Sequence, residues 1–232
     1  MIEVIASVLP FKTFEELKNK IGSLRGVVTT IQIDLCDGVF VPSQTWPYTS
    51  GGSADYDFQK IMNEEQGLPF WDEFDFELDL MVADAVEKFD IYMKLGAKRM
   101  IFHLEAMENL EDFHNFLEGI DLYIRDNFQF GIAFKPSMPL ENVFPFIQHV
   151  DFVQCMGNDK IGFGGVTLDE KVYGRIKLLR EKYPDLPIEI DIGITEETAP
   201  LLVRAGATKL ITGSVLFNSV DKIGLVEKFR NL

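Results

Sequence analysis

Apolar and polar positions along this chain follow two periods that take turns from one end to the other. A short apolar run at residues 4–9 predicts a strand. Thr13 then precedes residues 14–21, where apolar positions recur at helical spacing and Glu16 stands three places after the cap. Residues 27–35 are β-branched and apolar with few polar interruptions, the pattern of a strand covered on both faces. Further strands are predicted at 74–82, 99–104, 128–134, 150–156, 188–192 and 209–212. Helices are predicted at 84–95, 108–120, 140–148, 168–182, 195–204 and 220–229. Asp84 and Thr195 are starting caps, Gly96 is a stop, and Pro139 leads into the helix at 140. Residues 43–74 are the least regular, broken by Pro47, Gly51-Gly52-Ser53 and Pro69. One helix is predicted there at 55–65, and the remainder reads as a long loop on the side of the active site.

Eight strands, each followed by a helical pattern, imply a (β/α)8 TIM barrel. One such barrel accounts for residues 1–232 as a single domain, since the fold takes about 250 residues. The helix-to-strand turns Leu95-Gly96-Ala97-Lys98 and Ala205-Gly206-Ala207-Thr208 are alike, as a repeated βα unit requires. An open doubly wound sheet of eight strands satisfies the same pattern and stays as the alternative.

Composition narrows the function classes. A hydrophobic fraction of 47% supports a packed core, and a net charge of −15 argues against nucleic acid and anionic membranes as partners. The same field opposes an anionic substrate unless local groups hold it, although salt screens it over roughly 8 Å. Cys36 and Cys155 do not make a disulfide framework and read as buried free thiols in a reducing compartment. Glu3 and Pro10 argue against a signal peptide, and no apolar run reaches about 18 residues, so a cytoplasmic location is expected.

Candidate chemistry lies at the strand ends. Asp34, Asp79 and Asp191 stand late in otherwise apolar strands, and buried carboxylates are rare unless paired or bound to a metal. Barrels of this kind keep their chemistry at the carboxyl ends of strands, so one shared site is expected; unrelated ion pairs are the alternative. Asp37 follows on the second strand, and Gly38 permits its sharp exit. Gly162-Phe163-Gly164-Gly165, Gly193 and Gly213-Ser214 follow the last three strands and predict an anion cradle of backbone amides. Ser214 opens Val215-Leu216-Phe217, a short extra helix.

The segment Ile31 to Pro42 resembles the second strand of the ribulose-phosphate 3-epimerase family, which reads His-x-Asp-x-Met-Asp-Gly-His-Phe-Val-Pro-Asn. The resemblance runs from Ser7 to Phe217 and is weakest between 43 and 74. It implies a ketose-phosphate 3-epimerase. In that family two aspartates on opposite sides of the substrate move the C3 proton through an enediolate stabilised by a divalent metal. Asp34 matches the first aspartate, and Asp191 that of the family's Val-Asp-Gly-Gly segment. The family's two metal-binding histidines are replaced by Gln32 and Asp79, so the implied ligand set is Gln32, Asp34, Asp79 and Asp191. These are all oxygen donors, which suit Mg²⁺ or Mn²⁺ more than Zn²⁺. Either the site is retuned to a hard ion or metal binding is lost or marginal.

Ser7 matches a serine of the family's first strand. Met81 and Met156 match two of three methionines around the enediolate, and Cys36 stands at the third; ordinary core packing is the alternative for each. His103 matches a histidine of the family's fourth strand without being assigned to catalysis, whereas His114 and His149 read as surface residues. The phosphate cradle departs from the family at Ile192, where a glycine is usual, and in the loop before Gly162, which is one residue longer and lacks a proline. Two rivals remain: a different sugar-phosphate enzyme on the same barrel (aldolase, decarboxylase or other epimerase), and a non-catalytic phosphate-binding relative. The partner expected is a small sugar phosphate, and association into a homo-oligomer is left open.

Overall fold

In the computed structural model, which describes residues 1–232, eight parallel strands hydrogen-bond in chain order and the eighth pairs with the first, closing a barrel. The strands are β1 Glu3–Ser7, β2 Thr30–Cys36, β3 Asp75–Met81, β4 Arg99–His103, β5 Gln129–Phe134, β6 Phe152–Met156, β7 Ile188–Asp191 and β8 Lys209–Thr212. Closure rules out the open doubly wound sheet. Around the barrel lie α1 Phe14–Gly22, α2 Tyr56–Met62, α3 Phe89–Met93, α4 Leu110–Gly119, α5 Leu122–Asn127, α6 Leu140–Val143, α7 Lys171–Lys182, α8 Thr198–Ala205, α9 Ser214–Asn218 and α10 Lys222–Arg230. No helix is long and apolar enough to cross a membrane.

The local signals act as their chemistry dictates. Thr13 Oγ1 accepts from the amide of Glu16 at 3.1 Å, while Glu16 Oε2 accepts from the amide of Lys12 at 2.6 Å, a reciprocal cap on α1. Three expectations are corrected. The helix predicted at 84–95 is confined to α3, because Asp84 bonds to Lys88 and Tyr92 instead of capping a first turn. The helix predicted at 140–148 keeps α6 and then tightens into a 3-10 turn, Phe144–His149, where Pro145 supplies no amide for an α-helical bond. Residues 43–74 do not line the central cavity. They are drawn outward by the fully buried Trp46, which packs on Phe14 and Phe58 and donates its indole N–H to Asp55 Oδ1 at 2.8 Å.

Apolar side chains on the outward strand faces meet the helices in one continuous core. Inside the barrel the alternation of β-strand side chains builds layers. The β2–β3 register sets Gln32 beside Glu77, Asp34 beside Asp79 and Cys36 beside Met81. The floor is ionic: Arg99 bonds Glu3 at 2.6 Å and Glu77 at 3.3 Å, and Lys209 bonds Glu189 at 2.5 Å. Above it Phe152 crosses the interior, and Gly131 makes room, since a Cβ there would stand 2.3 Å from the Phe152 ring. Glu77 and Glu189 are as buried as the three aspartates singled out from sequence. Each lies two residues upstream of Asp79 or Asp191, on the same strand face, one layer further from the barrel mouth.

Candidate active site

The layer above the floor carries the candidate chemistry. A cavity of about 760 Å³ opens at the carboxyl ends of the strands. Its lining includes Ser7, Asp34 and Met81, Asp191, Gly193 and Gly213-Ser214, and the loop from Gly162 to Leu168. Asp34 is almost fully buried, and both carboxylate oxygens are held: Ser7 Oγ donates to Oδ2 at 2.8 Å and Gln32 Nε2 to Oδ1 at 2.7 Å. Burial, reinforced by the neighbouring Asp79 charge, pushes its carboxyl up to about 7, and the two hydrogen bonds restrain that rise. Asp191 also sits well above the usual carboxylate range, first through burial and then through Asp34 and Asp79. Its Oδ1 accepts the amide of Ile192 at 2.8 Å.

The chain leaves β7 through an unusual backbone. Ile192 has φ +76°, a left-handed conformation that a β-branched residue adopts at a cost. Gly193 follows with φ +77°, and a Cβ there would meet the Leu168 amide at 2.6 Å. Gly157 is equally constrained, since a Cβ would lie 2.1 Å from the Ile192 carbonyl. The carboxyl end of β7 and the loop after β6 are thus locked backbone against backbone.

Asp79 lies beneath the cavity. Its Oδ1 pairs with His103 Nε2 at 2.7 Å and its Oδ2 accepts from Gln154 Nε2 at 3.1 Å. All three side chains are fully buried. Cys36 and Met156 are buried beside Met81 and do not line the cavity; Cys36 Sγ stands 3.9 Å from Met81 Sδ. Gln32 is buried, and its Oε1 has no hydrogen-bond partner. Asp37 is committed to structure: Oδ1 accepts from the amides of Val39 and Phe40, and Oδ2 from that of Ala83, which ties the ends of β2 and β3 together.

The donor set suits a cation on one side of the mouth. Gln32 Oε1 is an orphaned buried oxygen, and Asp34 and Asp191 are two mutually repelling carboxylates open to the cavity, all features that a hard divalent ion would satisfy. Asp79 is already held by two side chains. The three aspartates do not close to within 4.8 Å of one another.

The cradle amides are free. Those of Gly164, Gly165, Gly193 and Gly213 donate to no protein acceptor, and all four glycines line the cavity. Gly162 is packed against Ser43 and Val41 and anchors this loop to the exit of β2. Sequence reasoning missed Lys20, near the end of α1. Its half-buried side chain is the one basic group lining the cavity. No carboxylate lies within 4.0 Å of its ammonium, which stands 4.9 Å from the centre of the Phe217 ring of α9. Lysines are common on helix faces, so the sequence carried no signal for this one.

A family model described as the ribulose-phosphate 3 epimerase family matches residues 3–217. The chain is 28% identical over 236 residues to a ribulose-phosphate 3-epimerase of Bacillus subtilis, covering 99% of both proteins. It is 31% identical over 204 residues to that of Chlamydia muridarum, covering 85% of this chain and 80% of the relative. Among solved structures it is similar in fold to KGPDC from Streptococcus mutans. The TM-score is 0.69 at 13% identity, over 99% of this chain and 96% of the other.

Proposed function

This chain belongs to the ribulose-phosphate 3-epimerase family, and on that footing we propose that it inverts C3 of a ketose phosphate with Asp34 and Asp191 as its acid–base pair. Its family is one of isomerases that epimerise carbohydrates, and epimerisation is the general activity. One observation carries the finer reading: two carboxylates from β2 and β7 line the same cavity, and both are held above the ordinary carboxylate range. Inversion at one carbon needs an ionised base on one face and a protonated acid on the other. Ser7 and Gln32 donate to Asp34 and favour its ionised form. Asp191 accepts the Ile192 amide and is repelled by Asp34 and Asp79, so the two carboxylates resist being ionised together and one carries the proton while the other serves as base. In one direction Asp34 takes the C3 proton, the electron pair moves into an enediolate across C2 and C3, and Asp191 returns a proton to the opposite face. The reverse direction exchanges the roles.

The family uses a divalent cation in general. Here Gln32, Asp34 and Asp191 would hold it, with Asp79 behind them, and it would supply positive charge to the developing enediolate oxygens. Their oxygen donors favour Mg²⁺ or Mn²⁺ over Zn²⁺. Met81 offers an apolar, polarisable wall beside the reacting carbons, with Cys36 and Met156 packed behind it. The free amides of Gly164, Gly165, Gly193 and Gly213, with Ser214, hold the phosphate, and Gly162 fixes the loop. Lys20 adds the one positive side chain of the cavity.

The test is exchange of the C3 proton with solvent deuterium, together with net epimerisation of ribulose 5-phosphate. Asp34→Asn and Asp191→Asn should each lower turnover at least about a thousandfold, with unchanged circular dichroism. Activity within a few-fold of wild type in either variant would refute the two-aspartate mechanism.

A further inference from the structure

Two of the three histidines in the chain come together outside the barrel. His114 and Glu118 are four residues apart on one face of α4, and His149 ends the 3-10 turn that leads into β6. One nitrogen from each imidazole and one oxygen of Glu118 lie within 4.8 Å of one another, with His149 Nε2 3.7 Å from Glu118 Oε1. This is the one place in the molecule where three His, Cys, Asp or Glu side chains converge so closely. We propose that His114, Glu118 and His149 form a binding site for one divalent transition-metal ion of the zinc class, separate from the barrel mouth.

Three features carry the assignment. The first is rigidity. Arg125 donates to the carbonyls of His149 and Leu117, which ties the end of the 3-10 turn to α4. His114 packs edge-on against Phe146, and the two imidazoles stand 4.4 Å apart at 77°. Packing therefore holds the two rings close together before any ion arrives. The second is an available lone pair. Gln148 Nε2 lies 2.9 Å from His149 Nε2, and an amide NH₂ can only donate, so this ring nitrogen acts as an acceptor. An ion would take the place of that amide. The third is the donor set. Two imidazoles and a carboxylate with an open fourth position suit zinc-like ions, whereas Mg²⁺ and Ca²⁺ require oxygen ligands. Bonds of about 2.0–2.2 Å place tetrahedral ligand atoms about 3.4 Å apart, so closure requires small side-chain rotations. Glu118 is half-exposed and gives the ion an entry path. A bound ion would staple α4 to the segment entering β6, on the outer helical layer. The chain's charge of −15 favours a cation there.

The proposal is independent of the epimerase reading, and its test separates the two. Full-length protein freed of metal by a chelator is titrated with Zn²⁺ by calorimetry, as wild type and as His114→Ala, Glu118→Gln and His149→Ala. Zinc-edge X-ray absorption is then read at one equivalent. Wild type should show two imidazole ligands, which the all-oxygen set at the barrel mouth does not supply. Each substitution should weaken that binding event at least about tenfold, and millimolar Mg²⁺ should not compete with it. Turnover of the three variants should stay at the wild-type level. Glu118→Gln alters a half-exposed side chain, so its loss of binding would not reflect misfolding. Absence of zinc binding in wild type, equal binding in all three variants, or an absorption spectrum without imidazole would each overturn the site.

Discussion

At the residue scale, the most informative position is Ile192. Its left-handed backbone is what a glycine adopts freely, and a β-branched side chain is held there only by its surroundings. Those surroundings are backbone: the Ile192 carbonyl packs so closely on Gly157 that a Cβ there would lie 2.1 Å away. Gly is ordinarily worse than Ala in folded backbone by about 0.5–1 kcal/mol. Here the order should reverse. Ile192→Gly should be more stable than Ile192→Ala by about 1 kcal/mol, measured by urea unfolding, while both lose the side chain's packing equally. An Ala variant at least as stable as Gly would show that the backbone is unstrained. Lys20 is the second residue of consequence. Lys20→Met should raise KM for a sugar phosphate about tenfold or more, as expected for loss of a charge-assisted contact, and leave kcat within a few-fold. Lys20→Arg should restore much of the loss. A kcat effect without a KM effect would place the ammonium at the reacting carbons instead of the phosphate.

At the scale of elements, strand alternation sorts carboxylates by depth. Glu77 and Asp79 share one face of β3, and Glu189 and Asp191 share one face of β7, so a two-residue step separates the ionic floor from the mouth. Arg99 reaches Glu3, Glu77 and Glu189 and so joins β1, β3, β4 and β7 across the floor. Burial and the neighbouring Glu189 already hold Glu77 well above the ordinary carboxylate range, and Arg99 and Lys209 oppose that rise. Removing the guanidinium leaves buried charge uncompensated, which costs about 3–5 kcal/mol. Arg99→Met should therefore be strongly destabilising at pH 8. A carboxyl whose folded-state pKa is raised contributes stability that is present below its unfolded pKa and lost as pH rises through the folded value. The variant's deficit should accordingly shrink as pH falls towards 5 and the buried floor carboxyls, Glu77 among them, take up protons more readily than free ones. Denaturant melts of wild type and variant at both pH values measure this, and a deficit that grows on acidification would contradict it.

At the scale of the whole molecule, the proposed reaction asks a barrel with a charge of −15 to take an anionic substrate. The long-range field opposes encounter, and only Lys20 and the cradle amides oppose that field near the mouth. Salt shortens the reach of the field. Under non-saturating substrate, kcat/KM should rise several-fold between about 10 mM and 150 mM sodium chloride, as steering theory requires for like charges. A fall over the same range would mean that local attraction outweighs the global field.

Strand and helix order, the barrel, and the positions of Asp34, Asp191 and the cradle glycines were legible in the sequence. Each is a local signal: hydrophobic period, a charge interrupting an apolar run, or a glycine where backbone must turn. Tertiary structure alone decided what each group faces. It set Asp79 against His103 and Gln154, which stand on β4 and β6, and no spacing along the chain encodes that pairing. It separated Glu189 from Asp191, identical in sequence context, into an ion-paired floor and an open mouth. It brought Lys20 over the cavity and turned residues 43–74 away from it, because closing a sheet fixes which loops overhang the centre and Trp46 found its core outside. It also brought His149 against His114 and Glu118 of α4. Contacts across the barrel wall depend on register and closure, and these exist only once all eight strands are in place.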